Sequence, residues 1–356
     1  VIYITFAKGW FMLTGWALIF GLPRIFKWAS GGDIEHGQAL FGAYKLVFMG
    51  VSFINNGIIT GTIQAVSKFT SEDESKHASV RKTALKVQGL LGIALAVLYI
   101  GFAGFLADIL GSPDLALLMR ITAGIIVAYS CYAVFIGSFN GRRMFSLQAL
   151  FDIAYATVKT VLIVVLAALG FEVLGTVLGF LIAAIVIAAA AAVISGRTSG
   201  DIGFPAKRYL SFASVLIVYT FILNLVMSLD LFLLKAFSSQ SALAAGHTAE
   251  VASSLSKAVA GQYGAAQGLA FIPYQAILSI AFVAFPMISK VTFADDAEKS
   301  KRYVRQALRF TTILIVGLAA VFAALPSQAL GLIFPVEYKV AAPALGVLAF
   351  GIAAFG

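Results

Sequence analysis

The sequence predicts an all-α, polytopic transmembrane protein, and three observations carry that prediction. Of its 356 residues 61% are hydrophobic and only 12% charged, whereas a soluble domain is about half apolar and about a quarter charged. The mean hydropathy is +0.97, so the excess apolar surface must face hydrocarbon. Runs of about 20 apolar residues, enough to span a bilayer, recur along the whole chain. Residues 173–194 form one without a single charge.

Ten such runs follow in order: 4–27, 37–66, 87–110, 113–139, 145–169, 173–194, 209–237, 259–288, 304–325, and one that starts near 340 and reaches the last residue. Backbone N–H and C=O groups in lipid must be satisfied within the segment, so each run reads as a helix. The first contains Pro23 and the eighth contains Pro273 and Pro286. A proline inside a helix removes a hydrogen bond and bends the chain, which makes these three the candidate hinges. The chain opens on Val-Ile-Tyr-Ile and closes inside an apolar stretch, so it reads as a segment of a longer protein.

Lysine and arginine alternate with the loops. Lys68, Lys76, Arg81, Lys82 and Lys86 follow the second run, Arg142 and Arg143 the fourth, Arg197, Lys207 and Arg208 the sixth, and a cluster from Lys290 to Arg309 the eighth. The intervening loops 111–113 and 170–172 carry none. This asymmetry predicts a cytoplasmic N-terminus and cytoplasmic basic loops. The net charge of +9 then reflects topology and lipid headgroups, with no nucleic acid as partner. The single cysteine, Cys131, excludes an internal disulfide framework and a Cys-based metal site. His36, His77 and His247 fall at run edges or in loops and read as solvated.

An internal repeat organises the chain. Ser67-Lys68, then Glu72-Asp73-Glu74, then Arg81 to Lys86 return as Ser289-Lys290, Asp295-Asp296 with Glu298, then Arg305 to Arg309. The offset is 222 from Lys68 to Lys290 and 224 from Arg81 to Arg305. Six runs fit one offset, and an even number keeps both copies in the same orientation, as in parallel transporter repeats. The expected domains are therefore a six-helix N-terminal bundle, residues 1–205, and a C-terminal bundle, residues 206–356, truncated at about four helices.

Several short patterns occur in this frame: Ala7-Lys8-Gly9-Trp10 with Leu22-Pro23-Arg24, Gln64-Ala65-Val66-Ser67-Lys68, Phe139-Asn140-Gly141-Arg142-Arg143, Ala260-Gly261-Gln262-Tyr263 with Ile272-Pro273-Tyr274, and Phe285-Pro286-Met287-Ile288-Ser289. In their order and spacing the chain resembles the multidrug/oligosaccharidyl-lipid/polysaccharide exporter superfamily, in its polysaccharide-biosynthesis, O-antigen flippase-like branch. That resemblance implies two six-helix bundles around a central cavity and 12 to 14 spans in a complete protein. A chain that stops in its tenth span departs from that pattern.

Charges within the apolar runs supply the candidate site, because a charge at bilayer depth is costly and usually faces protein or a water-filled cavity. Arg24, Lys45, Arg120 and Lys159, with Lys27, fall near the middle or in the non-cytoplasmic half of their runs. Converging, they would hold an anionic group. A pyrophosphate fits, gripped bidentately by Arg and as a point charge by Lys. Snorkelling to the outer headgroups is the competing reading, above all for Lys27 and Lys45. Asp152 and Asp230 are the carboxylates deepest in runs. They either bind a coupling ion, proton or sodium, or neutralise a neighbouring cation. Asn55, Asn56 and Asn224 line a sugar path or bond between helices.

No metal-binding HExxH, phosphate loop or Gly-x-Ser-x-Gly elbow occurs, so neither enzymatic activity nor a cofactor is expected. The leading function is a transporter that flips a polyprenyl-pyrophosphate-linked oligosaccharide by alternating access, with the lipid-linked oligosaccharide and membrane lipids as partners. The alternatives are an ion-coupled multidrug antiporter, which the excess of cations disfavours, and a membrane-embedded polysaccharide polymerase or ligase, which the short loops disfavour.

Overall fold

The computed structural model describes residues 2–196, 203–293 and 297–355. The side chains of Pro286, Ser289, Lys290, Asp295 and Asp296, on which one hinge and the second half of the repeat rest, lie outside the described ones. Among the described residues twelve α-helices follow one another: α1 Ile2–Ala29, α2 Ile34–Glu72, α3 His77–Ile109, α4 Leu115–Gly141, α5 Phe145–Leu166, α6 Glu172–Ser195, α7 Ala206–Val226, α8 Leu229–Ala244, α9 Ala249–Phe293, α10 Ala297–Ala324, α11 Pro326–Ile333 and α12 Ala342–Phe355. Among the described residues there is no strand. Among the described residues seven stretches are long and apolar enough to cross a membrane, and one of these, Phe145–Ser195, comprises both α5 and α6. The protein is all-α and multi-pass.

The apolar runs map onto these helices with two differences. The run 209–237 is two helices, broken at Met227 and Ser228. Its sequence there is Ser-Leu-Asp, and short polar side chains compete with the helical backbone for its own hydrogen bonds. The Leu231 amide donates to Asp230 Oδ1 at 2.8 Å, and Asn224 Nδ2 donates to the Thr220 carbonyl at 2.7 Å. The second difference is α11, an eight-residue helix begun by Pro326, too short to register as an apolar period. Between α5 and α6 the chain reverses at Gly170 (φ 90°) and Glu172 (φ 47°). The first suits glycine, which has no Cβ to clash. The second is uncommon for a residue with a side chain.

Two compact units emerge: Val1–Leu18 with Ile25–Gly261, and Ile19–Arg24 with Gln262–Gly356. In the first, α2 packs on α4 and α7, α3 on α4, α5 on α6, and α6 on α4. Apolar burial does not drive helices together inside lipid, so small residues that admit close approach do much of the packing. Gly42 of α2 lies so close to the Lys257 carbonyl, and Gly261 to the Gln38 carbonyl, that neither position has room for a Cβ. Near the basic end, Ala65, Val66, Phe69, Val80, Ala84, Val134, Tyr209 and Ala213 form a buried cluster, and Gln88 Nε2 donates to Tyr209 Oη at 2.8 Å.

The two ends of this unit differ in charge. At one, Arg81 donates to the Ser195 and Gly196 carbonyls at 2.7 and 3.1 Å and so caps α6. Arg208 meets Glu72 at 2.8 Å, and Lys68 sits over the Phe212 ring at 4.1 Å. In the adjoining turn, the Lys76 ammonium and then the Ser75 hydroxyl hold the Asp73 carboxyl down at about 2. At the other end, residues around the α1–α2, α3–α4, α5–α6 and α8–α9 connections line a cavity of about 750 Å³ that includes His36, Asp114, Glu172, Glu250 and Lys257. Within this unit the basic connections α2–α3 and α6–α7 thus lie at one end and the bare connections α3–α4 and α5–α6 at the other.

In the second unit α10 packs on α12, and α11 on the 3-10 turn Val336–Ala341. Phe20 meets Phe334 edge-on at 5.7 Å.

Candidate functional site

The polar residues of the first unit's helices fall into three groups. The first joins α1 to α5. Lys8 Nζ donates to Asp152 Oδ2 at 3.2 Å, with the lysine side chain 43% and the aspartate 13% exposed. Trp10 Nε1 donates to Thr157 Oγ1 at 2.9 Å. Two residues beyond Thr157, Lys159 Nζ stands 4.9 Å from the Phe11 ring centre, 5.2 Å from Tyr155 and 5.5 Å from Phe180. Three rings around one ammonium form a cation–π cage, worth about 0.5–2 kcal/mol per contact depending on desolvation. Behind it Tyr129 and Tyr132 pack on Tyr155, at 5.4 and 6.0 Å.

The second group lies on α2, α7 and α8. Lys45 is half-buried on α2, and the charge acting on it is that of Asp230 at the start of α8. Asn56 Nδ2 donates to Asn224 Oδ1 at 2.7 Å, a direct bond between α2 and α7, while Asn55 is buried.

The third group was not singled out from the sequence. Lys235 of α8 is fully buried. It donates to the Leu110 carbonyl at the end of α3 and to Ser256 Oγ of α9. Next to it Ser112 and Ser253 share a hydrogen bond of 2.8 Å, and Lys257 meets Asp114 at 2.6 Å. Lys235 ends the run 209–237, where a cation reads as a flank. Only the break at Ser228, which turns its helix, reveals it as interior.

The remaining candidates stand apart. Arg120 is exposed on α4, with its Nη2 over Gly104 of α3. Arg24 belongs to the second unit, is exposed, and donates from Nη1 to the Phe20 carbonyl of its own helix at 2.9 Å. Pro23, adjacent to it, lies inside α1. Pro273 is buried in α9. Among the described residues no group of three or more His, Cys, Asp or Glu is placed to hold a metal ion.

Apolar helices of this length, several of them carrying lysine or arginine within the span, define an integral membrane protein. The profile of the polysaccharide biosynthesis protein family matches residues 37–292, and a second profile of the same description matches residues 246–343. The chain belongs to the polysaccharide biosynthesis protein family. It is 28% identical over 324 residues to the succinoglycan biosynthesis transport protein ExoT of Rhizobium meliloti (strain 1021). That alignment takes in 87% of this chain and 58% of the relative, so the chain spans little more than half its length. Among solved structures it is similar to a MATE in complex with MaD5, with a TM-score of 0.67 and 19% identity, over 99% of this chain and 78% of that one. It is also similar to the outward-facing conformation of a multidrug resistance MATE family transporter of the MOP superfamily, with a TM-score of 0.65 and 18% identity, over 99% and 79%. At such identities the likeness speaks for the fold alone.

Proposed function

We propose that the chain forms most of a transporter that flips a polyprenyl-pyrophosphate-linked oligosaccharide across the bacterial cytoplasmic membrane by alternating access. The observation that carries the proposal is the excess of cations over carboxylates along the helices, in a family devoted to polysaccharide biosynthesis. Lys45, Arg120, Lys159 and Lys235 lie in the helices of the first unit and Arg24 in the second, against Asp152 and Asp230. Lys159 faces aromatic rings and has no carboxylate partner among the described residues. A pyrophosphate leaving the headgroup layer loses its hydration, and such cations replace part of it. ExoT, named a succinoglycan biosynthesis transport protein, is a relative whose name agrees with this substrate class.

The same proposal includes the parallel repeat, with bundles at 1–205 and 206–356, a cytoplasmic N-terminus, and Pro23, Pro273 and Pro286 as hinges. It assigns Arg24, Lys45, Arg120 and Lys159 to the pyrophosphate, and excludes a chemical step on the substrate. The energy source is an ion gradient, the membrane potential or the substrate gradient. A second reading, an ion-coupled drug antiporter, draws on the shared fold with multidrug transporters and on Asp230 at the helix break.

Reconstitution decides between them. Proteoliposomes holding the full protein and a fluorescent polyprenyl-pyrophosphate oligosaccharide should move it to the other leaflet, and Arg24→Ala should abolish that movement while the protein still inserts and folds. Arg24→Lys keeps the charge but loses the bidentate fork, so it should retain part of the rate. Cation efflux without movement of the lipid would favour the antiporter. A wild-type rate in Arg24→Ala would remove Arg24 from the site.

A further inference from the structure

The break between α7 and α8 leaves a feature that no charge argument uses. Where α8 departs from the line of α7, it, α7, α2 and α3 enclose a groove of about 390 Å³. The groove belongs wholly to the first unit. Its walls are almost entirely carbon: Phe53 of α2, Tyr99 of α3, Phe221 of α7 and Phe232 of α8 bring four aromatic rings to it, and Phe53 and Phe232 stand 5.4 Å apart. Gly50 forms part of the floor, where a Cβ would come within 2.9 Å of Tyr99 Oη. Ile109 and Leu233 line the groove as well and are exposed, so it opens sideways, beside α2, α3 and α7, each long and apolar enough to cross a membrane.

Its length has a physical meaning. On α3 the walls run from Tyr99 to Leu110, a rise of about 16 Å at 1.5 Å per residue. That is about half of a hydrocarbon core of ~30 Å, the depth of one leaflet. The groove ends at Leu110, whose carbonyl accepts from the buried Lys235 ammonium. Lys235 has no carboxylate within ion-pair distance among the described residues, and it sits between two wall residues, Leu233 and Ala236. One end of a leaflet-deep apolar slot thus carries positive charge, which suits a lipid whose head is anionic.

We propose that this groove holds the polyprenyl tail of the substrate while its pyrophosphate lies toward the cationic end, an assignment that rests on the flippase reading above. The rings select the occupant. An isoprenoid chain carries a planar trisubstituted double bond in every unit, whose π face meets the rings in addition to the dispersion contacts that a saturated acyl chain also makes. Apart from the Tyr99 hydroxyl the walls offer no partner for a polar group, so the oligosaccharide stays outside the groove.

Photocrosslinking tests this. The full chain is reconstituted in proteoliposomes with a polyprenyl pyrophosphate bearing a diazirine on its tail, and in parallel with a phosphatidylglycerol bearing the same group on an acyl chain. The polyprenyl probe should label peptides containing Tyr99 and Phe232, and unlabelled polyprenyl pyrophosphate should compete it away. Ala236→Trp fills the groove and should cut that labelling about tenfold, a loss of about 1.4 kcal/mol in binding. Val161→Trp, on an exposed face of α5 outside the groove, should leave it unchanged. Thermal unfolding of both variants controls for folding, and the wild-type map stands without them. Labelling confined to other helices, in a preparation that flips the lipid, overturns the groove and leaves the flippase reading intact. Equal labelling by the acyl probe, unaffected by unlabelled polyprenyl pyrophosphate, makes the groove an ordinary lipid site and also overturns the proposal. If the preparation neither flips nor is labelled anywhere by the polyprenyl probe, the flippase reading fails with it.

Discussion

Replacing Lys8 and Asp152 singly and together separates a structural ion pair from an ion-coupling carboxylate. At 3.2 Å, unit charges in an effective dielectric of about 20 attract by about 5 kcal/mol before desolvation. Lys8 is 43% exposed, so screening and side-chain entropy take back much of that. The aspartate at 13% exposed lies nearer the buried limit, where removing one partner costs about 3–5 kcal/mol because the other charge is stranded, than the surface limit of about 0–1 kcal/mol. A net coupling of about 1–2 kcal/mol lies between these limits. Lys8→Met should therefore destabilise by more than Asp152→Asn, because it leaves the less exposed charge alone. The double variant Lys8→Met/Asp152→Asn should recover most of the loss. The readout is the apparent melting temperature of the purified protein in detergent, where each kcal/mol corresponds to about 2–4 °C in a chain of 150–250 residues and to less in a longer one. Transport should follow stability, with the double variant active. A double variant that is as stable as the wild type yet cannot flip, or flips without responding to an ion gradient, would refute the pairing argument and make Asp152 the coupling group.

Three further outcomes follow from the geometry. Phe180→Leu and Phe11→Leu each remove one ring from the Lys159 cage and should each lower stability by about 1 kcal/mol while leaving Lys159→Gln the more damaging for transport; cage variants that abolish flipping as fully as Lys159→Gln would show that the rings, not the cation, meet the substrate. Gly42→Leu should prevent α2 from meeting α9 at Lys257 and abolish the folded, monodisperse species in size-exclusion chromatography, whereas Gly89→Leu, with nothing within 4 Å of its Cβ position, should not. In the α2–α3 turn, the Asp73 carboxyl is held down at about 2 by Lys76 and Ser75. A depressed carboxylate stabilises the folded turn above its unfolded value of about 3.9, and that contribution disappears as pH falls through about 2. Carboxyl-labelled NMR should find its midpoint near 2, and a midpoint near 4 would dissolve the turn's ionic account.

The membrane class and most helices could be read from the sequence because hydrocarbon imposes a simple rule: a span is apolar for about 20 residues whatever it packs against. The run 173–194 needed nothing more to become α6. The α7–α8 break was hidden because Ser228 and Asp230 interrupt the apolar pattern by only two residues, and a hydropathy window averages over them. Lys8 illustrates the limit on the site. It lies seven residues into α1, and Asp152 eight into α5. Both helices were expected to leave the same side of the membrane, so equal depth was the available signal. Spacing along a chain gives depth but not azimuth, and azimuth decides whether Lys159 meets a substrate or a ring of Phe11, Tyr155 and Phe180.

The buried ammonium of Lys235 also bears on how the chain enters the membrane. A lysine entering hydrocarbon costs about 2.5–3.5 kcal/mol at a helix centre and less toward its ends. Its acceptor at Leu110 was synthesised 125 residues earlier, while Ser256 follows 21 residues later. The order of synthesis thus matters. The α3–α4 hairpin must already be in place to offer its carbonyl when α8 leaves the ribosome, and α9 completes the coordination afterwards. Insertion of this half of the protein would then run as dependent steps, with an early hairpin as the receptor for a later charged helix.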